Sequence, residues 1–531
     1  MSEPVRTVDA VVIGAGPNGL VAANLLADAG WEVLVLESAD RPGGAVCTDE
    51  FVPGFRSDRF SAFYPMAALS PILHGLDLAG YGLRWRQAPT VLAHVLPDDR
   101  CAVISRDVEV TAASLAAFAQ GDGAAWRAEF AAWSRIRHDL VDALFTPFPP
   151  VRSGLRLLRT LGAADGLRFA RLATLPAGAL GEERFTGDGG RLLLAGNALH
   201  TDLGPGDAGG AAIGWLLSMA AQDVGFPVPE GGAGRLARAL ADRLAARGGR
   251  IECGRTVTRV LAAGGRAVGV ADAQGRLVRA RQAVLATVPA PTLYLGLVGA
   301  DLLPARLVSD LRTFRWDHGV VKVDWALSGP IPWRNPAVGG AGTVHLGTDL
   351  DGLAAYSTDL AAGRVAQRPF LVLGQMTTAD PTRSPAGTES AWAYTHVPHG
   401  RPWTDGELAR YADVLQRTVE HNAPGFTGRI IGRRVQGPAD LSRADANLVD
   451  GAVNAGTAAP GQQLLFRPVP GLGRADTPID RLFLAGASAH PGGAVHGGPG
   501  ANAARAALAR AGVGGGVYWA VLRRAIAAAY A

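Results

Sequence analysis

The sequence predicts an α/β protein with a doubly wound parallel sheet, and three observations support this class. The run Val11–Ile13 is apolar and β-branched, as in buried parallel strands. A glycine-rich turn and an apolar helix follow it, and a second apolar strand comes at Val33–Leu36. Hydrophobic residues make up 48 % and charged residues 18 % of the 531 positions, which is typical of a globular chain. We expect roughly two or three domains at this length.

The glycine-rich turn has the spacing of a dinucleotide-binding loop. Gly14 permits the tight turn, Gly16 (after Ala15) lets the backbone approach a pyrophosphate, and Gly19 lets the helix pack against the strand. The helix N-terminus offers free N–H groups and the positive end of its dipole to phosphate oxygens. Glu37 stands 18 residues after Gly19, where its carboxylate can accept hydrogen bonds from ribose hydroxyls. This unit alone does not distinguish NAD from FAD.

A second dinucleotide feature follows Glu37. Arg41 precedes the paired glycines Gly43 and Gly44, and Ala45 comes next. The glycines allow close backbone approach, and the guanidinium can reach a phosphate or a ribose. An ordinary Pro-Gly-Gly loop is the alternative, but the position just beyond the ribose acid favours a binding role.

These motifs resemble a known family. Gly14-Ala-Gly-Pro-Asn-Gly-Leu-Val-Ala-Ala, followed by Glu37 and Arg41-Pro-Gly-Gly, is similar to the N-terminus of the phytoene desaturase-like (carotenoid and retinoid oxidoreductase) flavoproteins, relatives of the flavin amine oxidases. The subgroup with a pyridine-nucleotide-disulphide-oxidoreductase domain fits the details best. The resemblance implies FAD, bound non-covalently, with the segment from Arg41 to Ala45 near the pyrophosphate and the flavin. It also implies that Val257 bonds the adenine through its backbone.

A second signature lies near the C-terminus. An apolar strand runs into a glycine-rich loop from Gly486 to Gly500, and a helix of small residues follows. The glycines let backbone N–H groups lie against a flavin, and the helix N-terminus favours the negative charge that develops on reduction. The expected backbone contacts are Gly486, Gly493, Ala494 and Val495.

The resemblance implies a discontinuous domain organisation. We expect a doubly wound, Rossmann-like FAD domain with an interleaved α+β substrate domain and a C-terminal helix. The FAD domain comprises residues 1–75, 225–299 and 471–512, the substrate domain 76–224 and 300–470, and the helix 513–531. That last helix could dock on the protein, pair with another subunit in a homo-oligomer, or touch a bilayer.

Four side chains are candidates for catalysis: Lys322, His200, His490 and His496. Lys322 is the only lysine of the chain, and strand alternation puts it on the face opposite Val321 and Val323. It is either an active-site group, such as an anchor for an anionic substrate, or a surface lysine. His200 either faces the substrate cavity or is structural.

The other two histidines lie in the C-terminal glycine loop. His490 and His496 are either acid–base groups or anchors for the backbone. A further pair, His396 and His399, has H-x-x-H spacing, but no acid or cysteine stands nearby, so we expect no metal site.

Composition excludes several function classes. The formal net charge of +4 is small and the arginines are spread along the chain, so nothing favours nucleic acid. The three cysteines lie far apart in the sequence and form no C-x-x-C motif. This spacing argues against a disulfide framework and against a thiol redox pair. No signal pattern opens the chain, and no apolar run reaches the ~18 residues of a membrane span. We therefore expect a soluble, cytoplasmic protein with at most peripheral membrane contact.

The expected activity is removal of hydride from a C–H bond of a mostly apolar small molecule, which is a desaturation or dehydrogenation. Oxygen, a quinone or another acceptor would reoxidise the flavin, because no second glycine fingerprint provides an NAD(P)H domain. Two alternatives stay open. One is a redox-neutral, flavin-dependent isomerase of a polyene, and the other is a non-catalytic, flavin-stabilised partner protein.

Overall fold

The computed structural model describes residues 5–531. In this part of the chain the strands are β1 (Arg6–Ile13), β2 (Val33–Leu36), β3 (Thr48–Val52), β4 (Phe55–Asp58), β5 (Trp85–Arg86), β6 (Thr90–Val95), β7 (Cys101–Ile104), β8 (Val228–Pro229), β9 (Arg250–Glu252), β10 (Val257–Ala263), β11 (Arg266–Asp272), β12 (Leu277–Ala286), β13 (Gly319–Leu327), β14 (Ala341–Leu346), β15 (Leu371–Gln375), β16 (Glu389–Val397), β17 (Ile430–Gln436) and β18 (Leu482–Leu484).

The α-helices in residues 5–531 are α1 (Pro17–Asp28), α2 (Pro65–Leu69), α3 (Pro71–His74), α4 (Val108–Ala116), α5 (Asp122–Leu144), α6 (Val151–Leu172), α7 (Ala177–Arg184), α8 (Asp188–Ala198), α9 (Gly210–Val224), α10 (Gly234–Ala246), α11 (Ala305–Arg312), α12 (Leu350–Ala361), α13 (Met376–Ala379), α14 (Asp405–Asn422), α15 (Pro438–Ala444), α16 (Gly498–Ala511) and α17 (Gly515–Ala529). A π-helix spans Thr292–Gly299.

The first sheet is the expected doubly wound one. Its parallel strands run in the order β18-β12-β1-β2-β9, and the β10–β11 hairpin joins β12 antiparallel. Alternate residues of β1 enter two cores: Ala10 and Val12 pack with α1, α10 and α16, while Val11 and Ile13 pack with the π-helix and α11. Burial on both faces explains the continuous apolar runs of these strands. The predicted α/β class is therefore confirmed.

Strands of this sheet come from three distant stretches of the chain. They lie within residues 6–36, 250–286 and 482–484, so the N- and C-terminal signatures meet at one sheet. The exact domain boundaries given above stay a prediction.

A second, seven-stranded sheet has the order β17-β13-β16-β15-β14-β6-β7, and only the β14–β6 pair is parallel. One face packs on α14 through side chains such as Val321, Val323 and Trp325. The other face carries Lys322 and Trp392. Helices α4 to α9 form a separate cluster against this sheet.

The C-terminal helix α17 docks on the protein itself. Ile526 and Tyr530 are buried against the first sheet's outer core, and the Tyr530 hydroxyl donates to the Pro470 carbonyl at 2.6 Å. Val517 and Val521 on the same helix are exposed. None of the helices in residues 5–531 combines the length and apolar character needed to cross a membrane.

Candidate functional site

One cavity of about 660 Å³ joins the glycine loops of the first sheet to the inner face of the second. Helices α5, α6 and α9 close it with apolar side chains that include Leu144, Phe169, Ile213 and Leu216. The wall contains these residues proposed from sequence: Gly16, Gly44, Ala45, His200, Lys322, His490, Gly493, Ala494, Val495 and His496. The structure therefore brings both glycine signatures and all four catalytic candidates to one space.

The first glycine loop has the geometry that its spacing predicts. Gly14 has φ +96°, and a Cβ on Gly19 would lie 2.1 Å from the Gly14 carbonyl oxygen. Only glycine at position 19 therefore lets α1 pack this close to β1. A Cβ on Gly16 would meet no atom within 4 Å, and Gly16, Pro17 and Asn18 line the cavity. The α1 N-terminus thus opens into free space, as binding of a pyrophosphate requires.

Glu37 holds the glycine loop in place. Its Oε2 accepts a hydrogen bond from the Ala15 amide at 2.6 Å, and its Oε1 accepts one from the Ala39 amide at 2.9 Å. The side chain is buried at the end of β2, outside the cavity wall. Contact with a ribose stays a prediction.

Two other nucleotide-binding candidates also lie outside the cavity wall. Arg41 forms an ion pair with Asp49, and its side chain is half exposed. Val257 begins β10 with its side chain buried in the outer core. Their predicted contacts with a phosphate and with adenine stay untested.

The paired glycines Gly43 and Gly44 contact the first glycine loop. The Gly43 amide donates to the Ala15 carbonyl at 2.9 Å, and Gly44 has φ +52°. The Ser61 hydroxyl donates to the Ala45 carbonyl at 2.7 Å, which holds this segment at the cavity wall. The loop between β2 and β3 therefore lies directly beside the first glycine loop.

In the C-terminal loop, His496 is an anchor for the backbone. Its Nδ1 accepts from the Gly498 amide at 3.0 Å, so its Nε2 carries the proton and donates to the Gly493 carbonyl at 2.9 Å. Burial lowers the pKa of His496 to about 4, so the ring is neutral at pH 7. Ala494 between these contacts has φ +77°. Gly486, at the start of the loop, packs against the Thr287 carbonyl and lies outside the cavity wall.

His490 differs from His496. Its Nε2 is buried and has no hydrogen-bond partner among residues 5–531, and its ring packs edge-on against Phe148 at 5.9 Å between centroids. Burial lowers the pKa of His490 to about 4. A neutral ring nitrogen at the cavity is available for a bound molecule.

His200 lines the cavity and pairs with a second histidine. Its Nε2 lies 2.7 Å from Nε2 of His345, which is fully buried on β14. Burial lowers the pKa of His200 to about 4, so one neutral ring donates and the other accepts. His345 was not predictable as a partner, because 145 residues separate the two rings along the chain.

Lys322 is not a surface lysine, so that alternative is wrong. The residue is 3 % exposed and forms an ion pair with Asp324, two residues along β13 on the same face. Its Nζ also lies 5.7 Å from the centre of the Trp392 ring. Burial lowers the pKa of Lys322, and Asp324 opposes this effect. Strand alternation predicted the face, whereas the burial of Lys322 depends on neighbours distant in the chain, such as Trp392.

Two buried side chains outside the set predicted from sequence, Arg467 and Asp317, hold the cavity floor. The buried Arg467 guanidinium donates to the carbonyls of Asn454, Thr457 and Ala487 at 2.6–3.1 Å. Asp317 accepts from the amides of residues 453, 454 and 456 at 2.8–3.0 Å. Together these two side chains fix the loop that forms the cavity floor beside Ala487.

The cavity wall fits a large, partly polar ring system. Polar atoms there are buried without a hydrogen-bond partner in residues 5–531: Asn18 Oδ1, Arg59 Nε, Asn454 Nδ2 and His490 Nε2. Such atoms are costly unless a ligand or water satisfies them. The backbone of both glycine loops, including Gly16 and Gly493, lines the same cavity.

A metal centre has no support in the described chain. Residues 5–531 contain no group of three or more histidine, cysteine, aspartate or glutamate side chains placed to hold an ion. His396 and His399 each bond a backbone carbonyl instead, those of Leu199 and Val449.

Comparison with known sequences identifies the family. The flavin containing amine oxidoreductases match residues 18–508. Pyridine nucleotide-disulfide oxidoreductase domain-containing protein 2 of Mus musculus is 29 % identical, over 93 % of this chain and 92 % of the mouse protein. The zeta-carotene-forming phytoene desaturase of Myxococcus xanthus is 28 % identical, over 91 % of this chain and 90 % of its own. The resemblance inferred from the glycine motifs is confirmed.

Solved structures show the same fold. An oxidoreductase from Methanosarcina mazei superposes with a TM-score of 0.62 at 17 % identity, over 94 % of this chain and 99 % of its own. Putrescine oxidase gives a TM-score of 0.60 at 15 % identity, over 95 % of this chain and 99 % of its own. The family match and the glycine cradle together establish the cofactor. The chain belongs to the family of flavin containing amine oxidoreductases and is an FAD-dependent oxidoreductase.

Proposed function

We propose that the protein desaturates or dehydrogenates a mostly apolar organic molecule. One observation carries this proposal: the glycine loops and an apolar chamber under α5, α6 and α9 share a single cavity. A substrate in that chamber lies against the place where the flavin ring would sit. The carotenoid desaturases among the relatives act on apolar molecules, which supports the same substrate class.

The residues present would hold FAD at defined places. The α1 N-terminus and Gly16 would hold the pyrophosphate, and the backbone from Gly493 to Val495 would lie along the ring. Bound FAD accepts a hydride and stores two electrons. The apolar helices exclude water from the reacting bond, which protects a reduced intermediate from side reactions.

His490 is the proposed acceptor for the proton that leaves with the hydride. Its Nε2 is unpartnered among residues 5–531 and lies in the cavity wall, whereas both ring nitrogens of His496 bond the backbone. The variant His490→Gln should slow flavin reduction and keep the flavin bound. An unchanged reduction rate would remove His490 from the mechanism.

Four further points stay predictions: the final electron acceptor, the cytoplasmic location, self-association and peripheral membrane contact. The docked position of α17 supports a structural role for this helix more than a membrane role, although Val517 and Val521 remain exposed.

The decisive experiment records the visible spectrum of the purified protein during anaerobic incubation with polyene, lipid and amine candidates. Bleaching of the flavin band by one class identifies that class as hydride donor. If amines alone bleach the flavin, the protein is an amine oxidase and the proposed desaturation is wrong. Isomerisation of a polyene only after prior reduction would instead favour the redox-neutral alternative.

A further inference from the structure

The cavity has a positive electrostatic character despite its apolar walls. Its fixed charges in residues 5–531 are the cations Arg59, Lys322 and Arg467 and one carboxylate, Asp445. Burial raises the pKa of Asp445. Excess buried cations in an apolar space favour ligands that carry a negative charge. The FAD pyrophosphate proposed at Gly16 would offset part of this charge at the glycine loops, so the cation that matters for a substrate is the one on the second sheet.

Lys322 is the cavity cation that belongs to the second sheet, on β13. An ammonium group has three N–H donors, and only the bond to Asp324 engages one of them within residues 5–531. Trp392 and Tyr394 stand beside it in the cavity wall, and their rings stack 6.0 Å apart. The remaining donors are therefore available at an aromatic edge of the cavity.

Asp324 does not neutralise this region. Its Oδ2 accepts from Arg434 Nε at 3.0 Å, whereas the Ser57 hydroxyl donates to Oδ1, the oxygen that Lys322 also contacts. Arg434 in turn lies 3.5 Å from Asp49, which Arg59 approaches at 3.8 Å. The ion pairs connect Lys322 and Arg434 to Asp324, and Arg41, Arg59 and Arg434 to Asp49. Asp58 also acts on Lys322 and pairs with Arg383, which pairs with Asp380. This group holds five cations and four carboxylates, an excess of one positive charge: Arg41, Arg59, Lys322, Arg383 and Arg434 with Asp49, Asp58, Asp324 and Asp380.

We propose that Lys322, with Arg59 nearby, anchors the carboxylate of an amphiphilic substrate whose apolar chain extends between α5, α6 and α9. Arg59 supports this site because its Nε is buried in the same wall without a partner in the described chain. A carboxylate would satisfy these donors and offset the excess charge. The inference rests on the proposed function, since it names the substrate class of the same cavity.

The test uses the FAD-loaded protein and a matched series: oleic acid, its methyl ester and the corresponding alcohol. Binding is measured from the perturbation of the flavin spectrum, so no turnover is needed. We expect the acid to bind about 10- to 100-fold more tightly than the ester, as for a hydrogen bond between charged groups. Lys322→Met should remove most of this preference, and Lys322→Arg should keep it. Arg433→Met is the matched control, since that side chain pairs with Asp413 on the opposite face.

The single lysine allows a second test without any substitution. Acetic anhydride in a short pulse labels amines, so mass spectrometry can follow Lys322 alone inside the chain. We expect bound oleic acid to lower its labelling several-fold and the methyl ester to leave it unchanged. The proposed carboxylate anchor is wrong if acid and ester bind equally or if neither binds. It is also wrong if the acid leaves the labelling of Lys322 unchanged. Desaturation is tested separately, by bleaching of the flavin band. A failed carboxylate anchor is therefore distinguishable from a failed desaturation.

Discussion

The Glu37 carboxylate accepts a hydrogen bond from the Ala15 amide at 2.6 Å. The acid at the end of β2 is therefore part of the glycine loop's own structure. Its other oxygen accepts from the Ala39 amide, so both oxygens already receive N–H donors. A side chain at this position must be a carboxylate to serve both donors at once.

We expect Glu37→Gln to weaken flavin retention and to lower the free energy of unfolding by about 1–3 kcal/mol. The amide NH₂ group would face one of the two backbone N–H groups, and that donor would lose its acceptor. The ratio of flavin to protein after gel filtration and a urea titration measure the two effects. Glu32→Gln is the control, because Glu32 is half exposed and pairs only with Arg281 at that site. Equal behaviour of the two variants would argue against the anchoring role.

Two glycines of one motif should behave differently. In Gly16→Ala the new Cβ meets no protein atom within 4 Å, so the protein should fold normally and lose affinity for FAD. In Gly19→Ala the Cβ would lie 2.1 Å from the Gly14 carbonyl oxygen, so folding itself should suffer. Circular dichroism melting without added FAD, followed by flavin binding, separates these outcomes. Normal FAD affinity in Gly16→Ala would contradict the proposed pyrophosphate site.

Stability should fall on acidification because His496 is held neutral. Its pKa is lowered by burial to about 4 in the folded protein, below the unfolded value near 6.5. The contribution of His496 to the free energy of unfolding is therefore complete above pH 6.5. It is lost as the pH falls toward 4, at roughly 1.4 kcal/mol per pH unit. His94, His200 and His490 have the same lowered pKa and add to the slope.

The pH dependence is measured from urea midpoints between pH 7.5 and 4.5. His496→Gln removes one titrating ring, so its slope should be shallower than that of the parent protein. A midpoint that does not change with pH would show that these rings titrate normally in the folded state.

Arg467→Lys should destabilise the cavity floor. The donors of the planar guanidinium are spread over three nitrogens that reach the carbonyl groups of Asn454, Thr457 and Ala487, a geometry that the single nitrogen of an ammonium group does not reproduce. We expect a loss of roughly 3 kcal/mol in the free energy of unfolding and weaker flavin binding. Arg443→Lys, on an exposed side chain paired with Asp440, should change neither. If Arg467→Lys has the same urea midpoint as the parent protein, the guanidinium does not hold the cavity floor in place.

The sequence contained the parts of the site that depend on local geometry. The glycine spacing predicted the turn at Gly14 and the close packing at Gly19, because these requirements act within a few residues. Alternation along β13 likewise assigned Lys322 to the face opposite Val321. Such features follow from backbone geometry and need no knowledge of the tertiary fold.

Long-range pairs were not predictable in this way. The His200–His345 contact and the bonds from Asp317 to residues 453–456 join elements that only the folded chain brings together. The burial of Lys322 is similar, since its neighbours on that face include Trp392, 70 residues later in the chain. A polar residue on a strand gives no local sign of whether a cavity or water lies above it.

The central claim, hydride transfer from an apolar substrate to flavin, is tested most directly by an anaerobic single turnover. Enzyme is mixed with a limiting amount of the substrate that bleaches the flavin, and both reduced flavin and product are quantified. The account predicts one reduced flavin for each new double bond formed. Product that forms while the flavin stays oxidised, or a protein that binds no flavin at all, would contradict it.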